Sequence, residues 1–105
     1  MTKIKKYVEE IAEELDDAKK YMEKALEYKA MGNMSSENMT RYNTYKVMST
    51  QELEHATKLH EMAVQDIEQL KTVYPEIPQK MMDAWSKSHT NFVEKAAWIK
   101  QMQAM

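Results

Sequence analysis

Cysteine is absent from the chain, and glycine occurs once, phenylalanine once and proline twice in 105 residues. Without thiols there are no disulfide staples, thiolate zinc sites or cysteine nucleophiles, so His, Asp and Glu are left as the side chains that hold a metal. So few turn formers argue against a succession of short strands. The lone glycine excludes a phosphate-cradling loop, and no serine sits in the setting of a nucleophile elbow, so nucleotide enzymes and ordinary hydrolases drop out. The formal net charge is -2, with lysines and acids interspersed, so no basic block marks a nucleic-acid surface. The opening MTKIKKYVEEIAEEL acquires acids before any apolar run develops, so neither a secretory signal nor a membrane span is expected. A cytoplasmic protein without nucleotide, nucleic-acid or membrane partners is the expectation.

What the chain does have is helical periodicity. Between residues 3 and 31, Ile4, Tyr7, Val8, Ile11, Leu15, Ala18, Met22, Ala25 and Leu26 recur at steps of three and four, the pattern of an amphipathic helix. Gly32 suits a left-handed C-terminal cap, and Asn33-Met34-Ser35-Ser36 supplies a turn with N-cap serines. A second helix is predicted from 36 to 73, ended by Tyr74-Pro75 because proline restricts the residue before it. Its inner face reads Tyr45, Met48, Glu52, Ala56, Leu59, Ala63, Ile67 and Leu70. A third, from 76 to 103 with Pro78 in its first turn, aligns Met81, Met82, Trp85, His89, Phe92, Ala96 and Ile99. The expected architecture is all-α and a single domain over residues 1–105: a long antiparallel helical hairpin plus a third helix. Rods about 40 Å long bury little surface in so short a chain, so completion of the core by self-association is expected.

Two acids interrupt these apolar faces. At about 100° per residue, Glu52 falls within the stripe of Tyr45, Leu59, Ala63 and Leu70, with His55 toward one side, while Glu54 and Glu61 point away. On the first helix Glu14 falls between Tyr7, Ala18, Tyr21 and Ala25, and Glu13 and Asp16 face outward. A buried, unpaired carboxylate shifts its pKa or takes a cation. With the hairpin centred between Asn33 and Met34, Glu14 lies about 20 residues before the turn, and Glu52 and His55 about 19 and 22 after it. All three reach one level, where antiparallel helices stand about 8 to 10 Å apart. Residues three apart on a helix face the same way, so Glu52 and His55 offer one oxygen and one nitrogen to a single metal.

Glu14 on one helix and E-L-E-H, residues 52 to 55, on its partner resemble half of the di-iron carboxylate site of ferritin-like proteins, in which two helices each give a Glu and two each give a Glu-x-x-His. Tyr21, seven residues after Glu14, is similar to the tyrosine that follows the first-helix glutamate in rubrerythrin-like members. The resemblance covers residues 4 to 70, and encapsulated-ferritin-like proteins, built from short chains, are the nearest in kind. Here the third helix has no second Glu with a second E-x-x-H, because Ser86 stands three positions before His89. The resemblance therefore implies a ferritin-like four-helix bundle completed by dimerisation. It implies two iron ions per homodimer or within a higher homo-oligomer, with manganese as the other metal the donors suit. Glu14 and His55 would be terminal ligands, Glu52 a bridging one, and Tyr21 a neighbour of the ligands. It also implies ferroxidase activity, the oxidation of Fe(II) by oxygen or peroxide.

Other readings compete. The same residues suit a helical interaction or scaffold protein without metal, in which Glu52 bonds a neighbouring lysine or tyrosine. Met31, Met34 and Met39 gather around the turn, where thioethers suit Cu(I), although methionine is usually adaptable filler. His60 lacks the second histidine of a zincin motif, because position 64 is Val64, and is expected at an interface or behind the ligands rather than as a ligand. His89, between Trp85 and Phe92, is expected as a hydrogen-bonded core histidine. Trp98 falls on the polar side of the third helix and suggests a second oligomer contact.

Overall fold

The computed structural model describes residues 2–31, 35–74 and 76–105. They form three helices, α1 (Thr2–Ala30), α2 (Ser36–Val73) and α3 (Gln79–Ala104), with no strand among the described residues. Cross-helix contacts run in opposite order along α1 and α2, from Tyr7 with Asp66 through Ala18 with Ser49 to Tyr28 with Tyr45. These two helices are therefore an antiparallel hairpin. α3 runs alongside α1 in the same direction: Lys95 meets Asp16, and the carbonyl of Met105 accepts from Lys29. The molecule is a rod of 58 × 19 × 16 Å, long and only two to three helices thick.

The apolar stripe of α1 behaves as its spacing predicts. Ile4, Tyr7, Ile11, Leu15, Ala18, Met22 and Ala25 are buried, with Val8 and Leu26 half-buried at the margins. Burying each of Ile11, Leu15 and Met22 contributes about 1.5 to 3 kcal/mol. Ala18 and Ala25 on α1, and Ala56 and Ala63 on α2, are completely covered; side chains this small let the two backbones approach closely. On α2 the buried set is Ser49, Leu53, Ala56, Ala63 and Ile67, whereas Tyr45, Met48, Leu59 and Leu70 of the expected face are half-buried. The difference arises because α3 covers one flank of the hairpin. It draws Ser49 and Leu53 into the core and leaves the opposite flank partly open.

The helix ends follow local chemistry. The Ser35 hydroxyl caps α2 by accepting from the Asn38 amide at 3.2 Å, with Glu37 in the first turn favourable to the helix dipole. At the other end the Tyr74 amide donates to the Leu70 carbonyl at 2.7 Å and the helix stops. The third helix differs from expectation. It begins at Gln79 rather than 76, and Pro78 is the extended residue preceding it rather than part of its first turn. The fixed proline ring disfavours helical geometry in the residue before it, so Glu76 and Ile77 remain outside the helix. The anticipated Gly32 cap, the Asn33–Met34 turn and Pro75 lie outside the described residues.

Candidate metal centre

Heptad spacing builds the open flank of the hairpin. On α1, Tyr7, Glu14, Tyr21 and Tyr28 recur every seven residues, and on α2, Tyr45, Glu52, Leu59 and Asp66 do the same. A step of seven is nearly two turns, so each set forms a row, and antiparallel packing brings the rows together as a seam. At one end of the seam the Tyr7 hydroxyl donates to the Asp66 carboxylate, which Lys3 also meets at 3.0 Å. At the other end Tyr45 packs between Tyr21 and Tyr28, with ring centroids 6.2 and 5.9 Å away. The two glutamates lie between these ends.

Glu14, Glu52 and His55 converge there. One donor atom from each lies within 4.8 Å of the others. His55 Nδ1 is 3.6 Å from Glu14 Oε2 and 3.8 Å from Glu52 Oε1. Two donors each about 2.1 Å from a common ion stand about 3.0 to 4.2 Å apart, so these separations fit a shared cation. The carboxylates are largely withdrawn from solvent, with side-chain exposures of 28% and 24%, whereas His55 is 58% exposed. The cluster is therefore half enclosed by its own chain, with its histidine side open.

The electrostatics of the pair point the same way. Glu14 Oε2 is buried and receives no hydrogen bond among the described residues. The Glu14 carboxyl is pushed up to about 7, first because a hydrogen bond with Glu52 requires a proton between them. Burial and the Glu52 charge push in the same direction, Asp17 adds to them, and His55 opposes. Two carboxylates this close do not both ionise without compensation, and either a proton or a metal ion supplies it. The donor set of two carboxylates and one imidazole suits iron or manganese better than a soft ion.

α3 stays clear of this flank. Its contacts with the hairpin include Lys95 with Asp16 at 3.0 Å, Lys19 over the Trp98 ring at 5.0 Å and Gln103 with Ser49 at 3.1 Å. Trp98, expected on a polar side, is partly covered by this lysine of α1. Tyr21 lies seven residues along the seam from Glu14, about 10 Å by helical rise, and its ring belongs to the tyrosine stack. His89 is exposed rather than a core residue, and it pairs with His60 across the α2–α3 interface at 2.8 Å. His60 lies between α2 and α3, against residues of its own chain. Met31 and Met39 are 58% and 46% exposed, and Met34 lies outside the described residues.

Two features escaped the sequence reading. Ser49, fully buried, donates to the Ala18 carbonyl at 2.7 Å and accepts from Gln103, linking all three helices. A lone serine in a charged helix carries no signal of such a role. The Tyr7–Asp66 pair was detectable in principle, because extending the heptad row from Glu52 through Leu59 reaches Asp66. In comparisons with known proteins, no family model, no curated protein and no solved structure matches the chain.

Proposed function

We propose that the protein is a ferritin-like iron-binding protein whose di-iron carboxylate site forms between two copies of the chain. The observation that carries this reading is the convergence of Glu14, Glu52 and His55 on the flank of the hairpin that α3 leaves open. Two such flanks related by a twofold axis form a four-helix bundle and bring two Glu, Glu, His sets together. Half-buried Tyr21, Tyr45, Met48 and Leu59 lie beside the cluster and supply apolar surface for that contact. Iron is the favoured ion, with manganese second, and ferroxidase activity is the reaction proposed for the site.

The chain's own residues would do the following. Glu14 and His55 would serve as terminal ligands and Glu52 as the ligand shared between ions. When bound, a pair of iron ions supplies redox chemistry toward oxygen or peroxide, with Fe(II) as the substrate oxidised. The Glu14 carboxyl, pushed up to about 7, would have to lose its proton for a cation to be held there, and the exposed His55 would face the second copy. The tyrosine stack and Leu59 exclude water from the flanks of the site.

One observation favours a second reading. The Glu14 carboxyl is pushed up to about 7 beside Glu52, so a proton between the two would compensate them without metal, as a helical interaction or scaffold protein would need. Native mass spectrometry with and without anaerobic Fe(II) or Mn(II) separates the two. The expected result is a dimer or larger assembly holding two ions per pair of chains, with binding abolished by Glu52→Ala. A monomer that takes up no metal, or uptake unchanged in Glu52→Ala, refutes the proposal.

A further inference from the structure

The two halves of α3 are held differently. Its buried residues, Ala96, Ile99 and Met102, all lie in the C-terminal half, which packs on α1. In the N-terminal half Met81, Met82 and Trp85 are only half-buried, and an apolar cavity of about 580 Å³ separates this stretch from the first turns of α1 near Ile4 and Val8. Among the described residues, its ring contacts and hydrogen bond to α2 centre on His60. The His60 ring stacks on Phe92 at 4.3 Å and on Trp85 at 5.4 Å, and its Nε2 meets His89 Nδ1 at 2.8 Å.

A hydrogen bond between two imidazole nitrogens needs one N–H and one lone pair. It forms when both rings are neutral or when one is charged. Two imidazolium rings have no acceptor left, and at this separation they repel. We infer that the His60–His89 pair is a pH-operated clasp: double protonation releases the N-terminal half of α3, residues 79–92, from α2, while the C-terminal half stays seated on α1. Release uncovers Trp85 and Phe92 and widens the groove that Met81 and Ala84 share with Ile4 and Val8.

The charges facing the pair set the direction. Burial lowers the pKa of His60 below its ordinary 6.5 and the neighbouring His89 lowers it further, while Glu61 on its own helix pulls the other way. No charged group of α1 is among these influences, and the α3 rings packed on His60 other than His89, Trp85 and Phe92, are uncharged. The folded chain therefore favours neutral His60 more than the unfolded chain does. The stabilisation is complete above 6.5 and is lost as pH falls through the lowered value.

Hydrogen exchange of the full chain, corrected for intrinsic rates and compared at about pH 7.5 and about pH 5, reads the clasp directly. Protection across residues 79–92 is expected to fall about tenfold or more at the lower pH, the loss of one hydrogen bond plus repulsion, with residues 96–104 unchanged. His89→Gln keeps a hydrogen-bonding partner but only one titrating ring, and His60→Phe keeps the stack on Phe92 without a charge. The pH response is expected to vanish in His60→Phe and to shrink in His89→Gln, where the burial of His60 remains. Equal protection at the two pH values, a matching loss in residues 96–104, a response that persists in His60→Phe, or one undiminished in His89→Gln would overturn the inference.

Discussion

Replacing Glu14 with Gln tests the carboxylate pair apart from any metal. In the folded chain Glu14 holds its proton up to about 7, against 4.5 for an ordinary glutamate. At about 1.4 kcal/mol per tenfold change in proton affinity, that rise corresponds to about 3 kcal/mol. With 28% of the side chain exposed, solvent screening reduces the figure to about 2 kcal/mol. The sign follows from proton counting. Between 4.5 and about 7 the folded state keeps a proton that the unfolded state has released, so this group's contribution falls as pH rises through that window and is level above it. Glutamine keeps a donor toward Glu52 and has nothing to titrate.

In the presence of chelator and at fixed chain concentration, urea unfolding followed by circular dichroism is expected to show the two proteins equal near pH 4.5. The variant should lead by about 2 kcal/mol near pH 8. Because every other titrating group is common to both chains, the difference isolates this site. Adding Mn(II) should reverse the order, because the native chain exchanges its proton for the ion and the variant has lost a ligand. Parallel pH profiles in chelator, or a variant less stable at the higher pH, would refute the reasoning about the pair. Failure of Mn(II) alone to reverse the order would refute the metal reading and leave the proton argument intact.

Ser49→Ala removes the bond to the Ala18 carbonyl and the acceptor of Gln103, and is expected to cost about 1 kcal/mol of unfolding free energy. A double-mutant cycle with Gln103→Ala should show coupling between the two. Tyr7→Phe deletes the donor to Asp66, whose carboxyl is held below its ordinary 3.8 by Tyr7 and Lys3. The urea midpoint should fall at neutral pH, and the gap should close as pH drops through the lowered Asp66 value. Ala56→Leu places a large side chain where the hairpin is fully closed, and overpacking of this kind costs about 1 to 3 kcal/mol, read as a lower melting temperature. Asp16→Asn, which breaks an exposed pair with Lys95, should change stability by less than about 1 kcal/mol.

The stretches of the fold legible in the sequence are those governed by local rules. Helical period is a property of neighbouring residues, so the buried face of α1 from Ile4 to Ala25 was readable without knowing what it packs against. The ends of α2 were readable for the same reason, since a serine cap and the residue before a proline act within one turn. The meeting of Glu14 with Glu52 and His55 needed one further step. Counting residues from a hairpin turn gives axial level, because every helical residue rises by the same amount.

What the sequence by itself determined, then, is three helices, the inward stripe of α1 and the level at which three ligand-type residues meet. Tertiary structure decided where α3 lies around the hairpin. That single angle set which flank stays open beside His55, drew Leu53 and Ser49 into the core, and brought His60 and His89 together. Such an angle depends on contacts between residues far apart in the chain, whose side chains interlock only after the helices exist. Local periodicity supplies no information about it.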